Sequence, residues 1–447
     1  MERLTAQDLS MLWPENLGWP QDIGVVGTLD AACLTDADGR FQVDVVREAI
    51  AARLPAVPRF RQVIHIPRRG LGGPLWVDVS HVDLERHVRV VDVPDGDLLP
   101  AVERLRRQPL DRARPLWEIW FLTGLAGARI GCFVRVHHAI ADGVSGVATL
   151  AALLAQDRGM PPALARPWPS ARALFADNVR RRHAELARTA SAVAHPGTTL
   201  RALRGAWPAV REATGEKAPR TSLNQPLGPG RRLDVVRANL DAVKEAGHRH
   251  HATANDVLLA AMAGGLHDLL RARGERVDDL VLRAYVPVAL HREQHGQDRG
   301  NQDGLMVVPL PVGPAAPVDR LRWIARETAE RRKLRRPAGS ALFRTSLAQR
   351  TFLRLMRHQR WANVYVANVP GPPVALSIAG VPLLEMFPVV PLIGNVTLGV
   401  GALSYAGQFN ATVVADEDAC SDVAVFTAGL RRDFERLCRP PVTKSAG

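Results

Sequence analysis

Val136-His137-His138-Ala139-Ile140-Ala141-Asp142-Gly143 is the stretch on which the reading of this chain turns. Ahead of it runs Ile130-Gly131-Cys132-Phe133-Val134-Arg135-Val136, short, apolar and rich in β-branched residues. Behind it stand the small, turn-prone Val144-Ser145-Gly146. The pattern predicts a strand, a tight turn and a helix. A buried strand end is rigid, so a histidine placed there has a defined direction. Imidazole titrates at about 6.5 when unperturbed, close to working pH, which suits it to take a proton from a hydroxyl. Asp142 stands beside Gly143, which permits a sharp bend, and is expected to fix the turn or to orient the imidazole. Two adjacent histidines alone are better read as packed core residues; the whole pattern, His-His-x-x-x-Asp-Gly after an apolar strand, carries the signal.

Working outward, the 447 residues exceed what one ordinary core holds, and two domains are expected. Hydrophobic residues at 47% and charged residues at 23% are the proportions of a soluble globular chain. The opening residues lack the basic and apolar regions of a signal peptide, so a cytoplasmic location is expected. Four cysteines, Cys33, Cys132, Cys420 and Cys438, are scattered without metal spacing, which suits reduced thiols. The apolar run from Val374 to Ala406 is long enough to cross a bilayer, but Pro382, Pro388, Pro391 and repeated glycines break it. Buried strands and turns are expected there. A formal net charge of +13 attracts polyanions: nucleic acid, an anionic membrane face or the phosphates of a nucleotide-like substrate. Zinc-finger, aromatic RNA-binding and basic-heptad signatures are missing, so nucleic acid is not expected.

Other motifs fail on inspection. His291-Arg292-Glu293-Gln294-His295 is not in zinc-protease order, and Gly296 and Gly300 argue against a helix holding both histidines. His248-Arg249-His250-His251 reads as a solvated loop. Ser145 lacks the second glycine of a nucleophile elbow. Phosphate-loop and dinucleotide glycine patterns are also missing from the sequence.

The flanks select a family. Arg59-Phe60-Arg61, Gly70-Leu71-Gly72-Gly73-Pro74-Leu75-Trp76 and Pro109-Leu110-Asp111-Arg112-Ala113-Arg114-Pro115-Leu116-Trp117-Glu118 precede the His-His motif. Leu223 to Arg232, Thr253-Ala254-Asn255-Asp256 and Asn363 to Pro373 follow it. In order and spacing the chain resembles the bacterial wax ester synthase/diacylglycerol acyltransferase family, part of the CoA-dependent acyltransferase superfamily. The resemblance implies an α/β (α+β) fold of two chloramphenicol-acetyltransferase-like domains, each a mixed sheet with packed helices, and an active-site channel between them. The expected division is residues 1–165 for the half carrying the His-His motif, 166–220 for a basic helical linker and 221–447 for the C-terminal half.

Activity and site residues follow from the same resemblance. It implies an acyl-CoA-dependent O-acyltransferase making triacylglycerol from diacylglycerol, wax esters from long-chain alcohols, or both. His138 is then the general base in direct transfer. His137 and Asp142 complete the catalytic set, His137 shaping the channel and Asp142 pairing with Arg283 or Arg292 of the second half. Gly143, Asn255, Asp256 and Asn368 are expected to bind substrate; Thr253 and Asp256 also read as a helix cap. No metal and no cofactor are expected, acyl-CoA being a co-substrate. Two departures from the family pattern, Ala367 before Asn368 and Ala411 after Asn410, bear on acceptor preference. Peripheral contact with an anionic membrane, on the inner face of the plasma membrane, or with lipid droplets is a further expectation. Leu174, Phe175 and Leu186 would supply its apolar contact, with Arg180-Arg181-Arg182 toward the lipid; a solvated crossover helix docked on the protein is the other reading of this segment, and the favoured one. The alternatives are an acyltransferase for a specialised metabolite or glycolipid hydroxyl, and a non-catalytic lipid-binding protein.

Overall fold

The computed structural model describes residues 1–141, 143–154, 165–195, 197, 200–201, 204, 207, 211, 215–289, 303–334 and 346–440. In the first half the strands are β1 (Glu2–Arg3), β2 (Asp22–Asp30), β3 (Gln62–His65), β4 (Leu75–Asp78), β5 (Val88–Asp92), β6 (Trp117–Leu125) and β7 (Arg129–His137). Its helices are α1 (Ala6–Leu12), α2 (Val43–Arg53), α3 (Leu84–His87), α4 (Leu98–Arg106), α5 (Gly143–Leu153) and α6 (Ala171–Ala194). The second half contributes β8 (Arg231–Asn239), β9 (Val281–Ala289), β10 (Asp303–Pro311) and β11 (Val364–Pro370). Four strands complete it: β12 (Ser377–Ile378), β13 (Val381–Val389), β14 (Leu398–Tyr405) and β15 (Gln408–Asp416). Its described helices are α7 (Leu240–Arg249), α8 (Ala254–Ala272), α9 (Pro317–Arg332), α10 (Ser346–Arg357) and α11 (Val423–Cys438).

Each half is built on a mixed six-stranded sheet, as expected. The first sheet runs β12-β13-β2-β7-β6-β5 and the second β10-β9-β11-β14-β15-β8. β7 reads Arg-Ile-Gly-Cys-Phe-Val-Arg-Val-His and is buried at every position after its first. A nearly continuous apolar run is what a central strand covered on both faces requires. Gly24 on neighbouring β2 lets the two backbones approach, since a Cβ there would fall 2.6 Å from the Val134 carbonyl oxygen. In the second half α8 is buried from Asp256 through Leu266. A helix apolar all round can only be an interior helix. The expected cap is present, with Thr253 and Asp256 forming a reciprocal capping box.

The sheets do not follow the expected division of the chain throughout. β13 pairs with β2, Leu383 opposite Leu29 and Val389 opposite Gly24, so the excursion 377–389 closes the edge of the first sheet. Tyr405 holds that excursion to β14: its buried hydroxyl donates to Leu383 O and accepts from Leu376 N–H, each at 2.9 Å. Separate apolar cores fill the two halves. A third cluster joins them, with Val26 and Phe133 of the first half against Phe387 and Val389.

The start of the expected linker is α6, capped by Ser170. Its first turns dock on the first half: Arg3 Nε lies 2.7 Å from Asp177 Oδ2, and Asn178 donates to Gly70 O at 2.8 Å. Leu174, expected to face lipid, instead packs with Val63, Leu75 and Val77 and is buried. Phe175, Leu186 and Val193 are 56%, 67% and 74% exposed. These three are spaced close to whole helical turns at roughly 3.6 residues per turn, so they share a face. His248 and Arg249, expected in a loop, are the last residues of α7. The His291 to His295 stretch lies outside the described residues. No helix among the described residues is long and apolar enough to cross a membrane.

Candidate active site

His138 is the first residue past β7, and its backbone is pinned before its side chain is considered. Its N–H donates to Gln21 O at 2.8 Å, while His137 N–H donates to Leu116 O at 2.9 Å. Ile140 N–H closes the turn on His137 O at 2.8 Å. The residues immediately ahead of β2 and β6 thus hold the turn from both sides. The half-buried His138 side chain lines a cavity of about 340 Å³, within the range of small-molecule sites. The first half supplies Ile23, Val134, Val136, Gly146, Val147 and Leu150; the second supplies Pro287, Tyr365, Asn368, Val390 and Leu403. Among the described residues nearly every wall group is apolar, and His138, Thr149, Tyr365 and Asn368 are the polar side chains on it.

His137 points elsewhere. It is buried, its Nδ1 accepts from Ala139 N–H at 3.0 Å, and its Nε2 lies 3.0 Å from Glu15 Oε1. A backbone N–H can only donate, so Nδ1 carries the lone pair and Nε2 the proton. The Nε2 contact is close but off line for an ideal hydrogen bond. Arg112 donates to the other carboxylate oxygen, Glu15 Oε2, at 2.7 Å. Burial works to raise the Glu15 carboxyl, but His137 and Arg112 outweigh it and hold it down at about 2. Glu15 is absent from the sequence reading because a lone acid in Trp-Pro-Glu-Asn carries no signal of a partner some 120 residues away.

The remaining expected site residues divide. Asn368, on β11, shares the cavity wall with His138. Gly143 opens α5, whose Gly146, Val147, Thr149 and Leu150 face the cavity. Asn255 and Asp256 begin α8 and are not on this wall. The Asp256 carboxylate accepts from Thr253 N–H and Oγ1–H at 2.8 and 2.7 Å and from Thr328 Oγ1–H at 2.8 Å. Asp142 and Arg292 lie outside the described residues. Arg283 donates from Nη1 to Glu216 at 2.9 Å and from Nε to Trp361 O at 3.0 Å. Of the two departures, Ala367 lines the cavity and Ala411 is core. Burial pushes the Cys132 thiol up to about 12, so it carries essentially no thiolate at neutral pH. Among the described residues no group of three or more His, Cys, Asp and Glu is placed to hold a metal ion.

A mixed sheet in each half, with a strand-end histidine opening on a cavity walled by both, is the architecture of the chloramphenicol acetyltransferase class. The wax ester synthase/diacylglycerol acyltransferase catalytic domain matches residues 4–258, and the WS/DGAT C-terminal domain matches residues 299–438. The chain belongs to the wax ester synthase/diacylglycerol acyltransferase family and is an O-acyltransferase. It is 30% identical to a Mycobacterium tuberculosis chain described as a probable diacylglycerol O-acyltransferase, tgs1, over 100% of this chain and 99% of that one. Among solved structures it resembles the wax ester synthase/diacylglycerol acyltransferase from Marinobacter aquaeolei VT8, with a TM-score of 0.69, 24% identity and 98% of each chain covered. It also resembles the starter condensation domain of rhizomide synthetase in complex with C8-CoA and Leu-SNAC. There the TM-score is 0.57 at 17% identity, covering 98% of this chain and 93% of that one. At these identities the two structures establish the fold.

Proposed function

We propose that this chain transfers a long-chain acyl group from CoA to the hydroxyl of diacylglycerol or of a long-chain alcohol, with His138 as general base. The observation that carries the reading is the place of His138: one imidazole on an otherwise largely apolar wall shared by both halves. An acyl chain gains by burial against such a wall, at about 0.8 kcal/mol per methylene removed from water. As the acceptor oxygen attacks the thioester carbonyl, His138 takes its proton; the carbon–sulfur bond breaks and the proton passes to the CoA sulfur. A low-dielectric surround strengthens a hydrogen bond to the developing charge, and Asn368 and Tyr365 are polar side chains of the second half on that wall. Gly143, at the start of α5, is a further substrate-side residue in this reading, whereas Asp256 serves the cap of α8.

A water-insoluble acceptor must be met at a lipid surface. We infer that the protein sits peripherally on an anionic membrane or lipid droplet through α6. Support comes from the exposed Phe175, Leu186 and Val193 on one face and from Arg180, Arg181 and Arg188 elsewhere around the same helix.

The deciding experiment incubates the purified chain with one long-chain acyl-CoA and a panel of hydroxyl acceptors and identifies the products by mass. Triacylglycerol or wax ester is the expected product. Esterification of only a glycolipid or specialised-metabolite hydroxyl would overturn the acceptor assignment, and no CoA release with any acceptor would overturn the enzyme mechanism.

A further inference from the structure

His137 and His138 are neighbours in the chain with opposite surroundings. One ring lines the substrate cavity; the other is sealed at 1% exposure against Glu15. The peptide between them is shared, so whatever fixes the first imidazole limits the second. His137 is held by its own N–H on Leu116, by its carbonyl under Ile140 N–H, and by ring contacts on both nitrogens, Ala139 N–H at Nδ1 and Glu15 at Nε2. Of these, the Glu15 contact is the one supplied by a side chain distant in sequence.

Glu15 is itself built in. It lies in the short 3-10 turn Pro14–Leu17. Arg112 occupies its second oxygen and also donates to Leu12 O at 3.2 Å. On either side of the turn, Trp13 and Trp19 are buried in a cluster with Leu353 and Met356 of α10. The turn that carries the carboxylate is therefore packed against residues of the second half, the same half that provides one wall of the cavity. An ionised carboxylate at this depth is stable only with its partners in place, and the Glu15 carboxyl is held well below its ordinary range.

We propose that Glu15 is a positioning residue for the acyl transfer, acting through His137 to aim the imidazole of His138 into the cavity. Glu15 does not touch the cavity wall, so its effect falls on the rate of the chemical step rather than on substrate affinity. Removing it takes away the carboxylate that faces His137 Nε2 at 3.0 Å and so loosens the turn that carries His138. A misplacement of about 1 Å at a reacting group costs on the order of 10²-fold in rate. This inference rests on His138 being the base.

The test is steady-state kinetics on Glu15→Ala and Glu15→Gln, each also made in a His137→Leu background. Expected for Glu15→Ala is a fall in kcat of about 10-fold or more with KM changed by less than about 3-fold. Glu15→Gln, which keeps an acceptor oxygen at Nε2, should recover most of that loss. With His137 replaced, removing Glu15 should cost less than about 2-fold, because its route to His138 is gone. A Glu15→Ala enzyme with normal kcat, whatever its melting temperature, overturns the inference, and so does an equal loss in both backgrounds. Should Glu15→Ala not fold, Glu15→Asp, whose shorter side chain draws the carboxylate away from Nε2, is read in the two backgrounds by the same criterion. The underlying reading fails separately: a His138→Ala enzyme that still turns over rejects the base, whereas an inactive His138→Ala beside a normal Glu15→Ala rejects only the positioning role.

Discussion

The backbone N–H of His138 donates to the carbonyl oxygen of Gln21 at 2.8 Å, so the aim of the strand-end imidazole depends on where β2 begins. That start is fixed by charge. Asp22 Oδ2 accepts from Arg106 Nε at 3.1 Å, and Glu103 Oε1 accepts from Arg106 Nη1 at 2.7 Å, all three side chains at least 93% buried. Replacing Arg106 by Met fills the space but leaves two carboxylates without their counter-charge. The variant should lose roughly 3–5 kcal/mol, read as a lower urea midpoint. A change below about 1 kcal/mol would mean the two acids are served by other groups.

Acid should weaken the Glu15 contact in a defined direction. The carboxyl ordinarily titrates at 4.5 and is held at about 2 in the folded chain, against burial, by His137 and Arg112. A depressed carboxylate contributes stability that is full above its unfolded value and fades as pH falls toward the folded one. The stability gap between the wild type and Glu15→Gln should therefore be widest above about 4.5 and close as the pH approaches about 2. Thermal melts of both proteins across that window check it, and a gap of constant size would contradict the ionised pair.

Chain-length preference should respond to the wall of α5. A Cβ added at Gly146 would meet Ile23 Cδ1 at 3.5 Å, an ordinary contact, so Gly146→Ala should fold normally. Val147→Phe projects more bulk into the same wall. Both should move the kcat/KM ratio from long-chain toward medium-chain acyl-CoA, Val147→Phe by about 10-fold or more, since each methylene excluded forfeits roughly 0.8 kcal/mol. An unchanged ratio in folded variants would place the acyl chain elsewhere.

Lipid attachment through α6 predicts that Phe175→Ser, Leu186→Ser and Val193→Ser combined abolish cosedimentation with vesicles rich in anionic lipid. Melting temperature should hold, because all three side chains are exposed. Binding that survives the triple substitution, or that ignores the anionic lipid fraction, would reject this face.

Much of the fold was legible because its signals are local. β7 is a continuous apolar run, α8 has its cap and unbroken apolar body, and the turn between β14 and β15 carries Ala406-Gly407. His138 was legible for the same reason, as the end of a strand followed by a turn and a helix. What stayed hidden is relational. The pairing of Leu383 with Leu29 joins residues far apart in the chain, and no periodicity in either segment names its partner. Leu174 and Phe175 are adjacent apolar residues, and only the docking of α6 on Val63, Leu75 and Val77 decides that the first is buried and the second exposed. Glu15 resembles any acid in a proline turn until His137 and Arg112 are seen around it.

The most direct measurement is the turnover of purified His138→Ala, followed as CoA release from a long-chain acyl-CoA with diacylglycerol or a long-chain alcohol as acceptor. A positioned base contributes about 10² to 10⁴-fold, and the half-buried ring can be removed without opening either core. The expected result is a loss of that size with an unchanged melting temperature. A folded His138→Ala enzyme releasing CoA at close to the wild-type rate would contradict the assignment of this imidazole as the base.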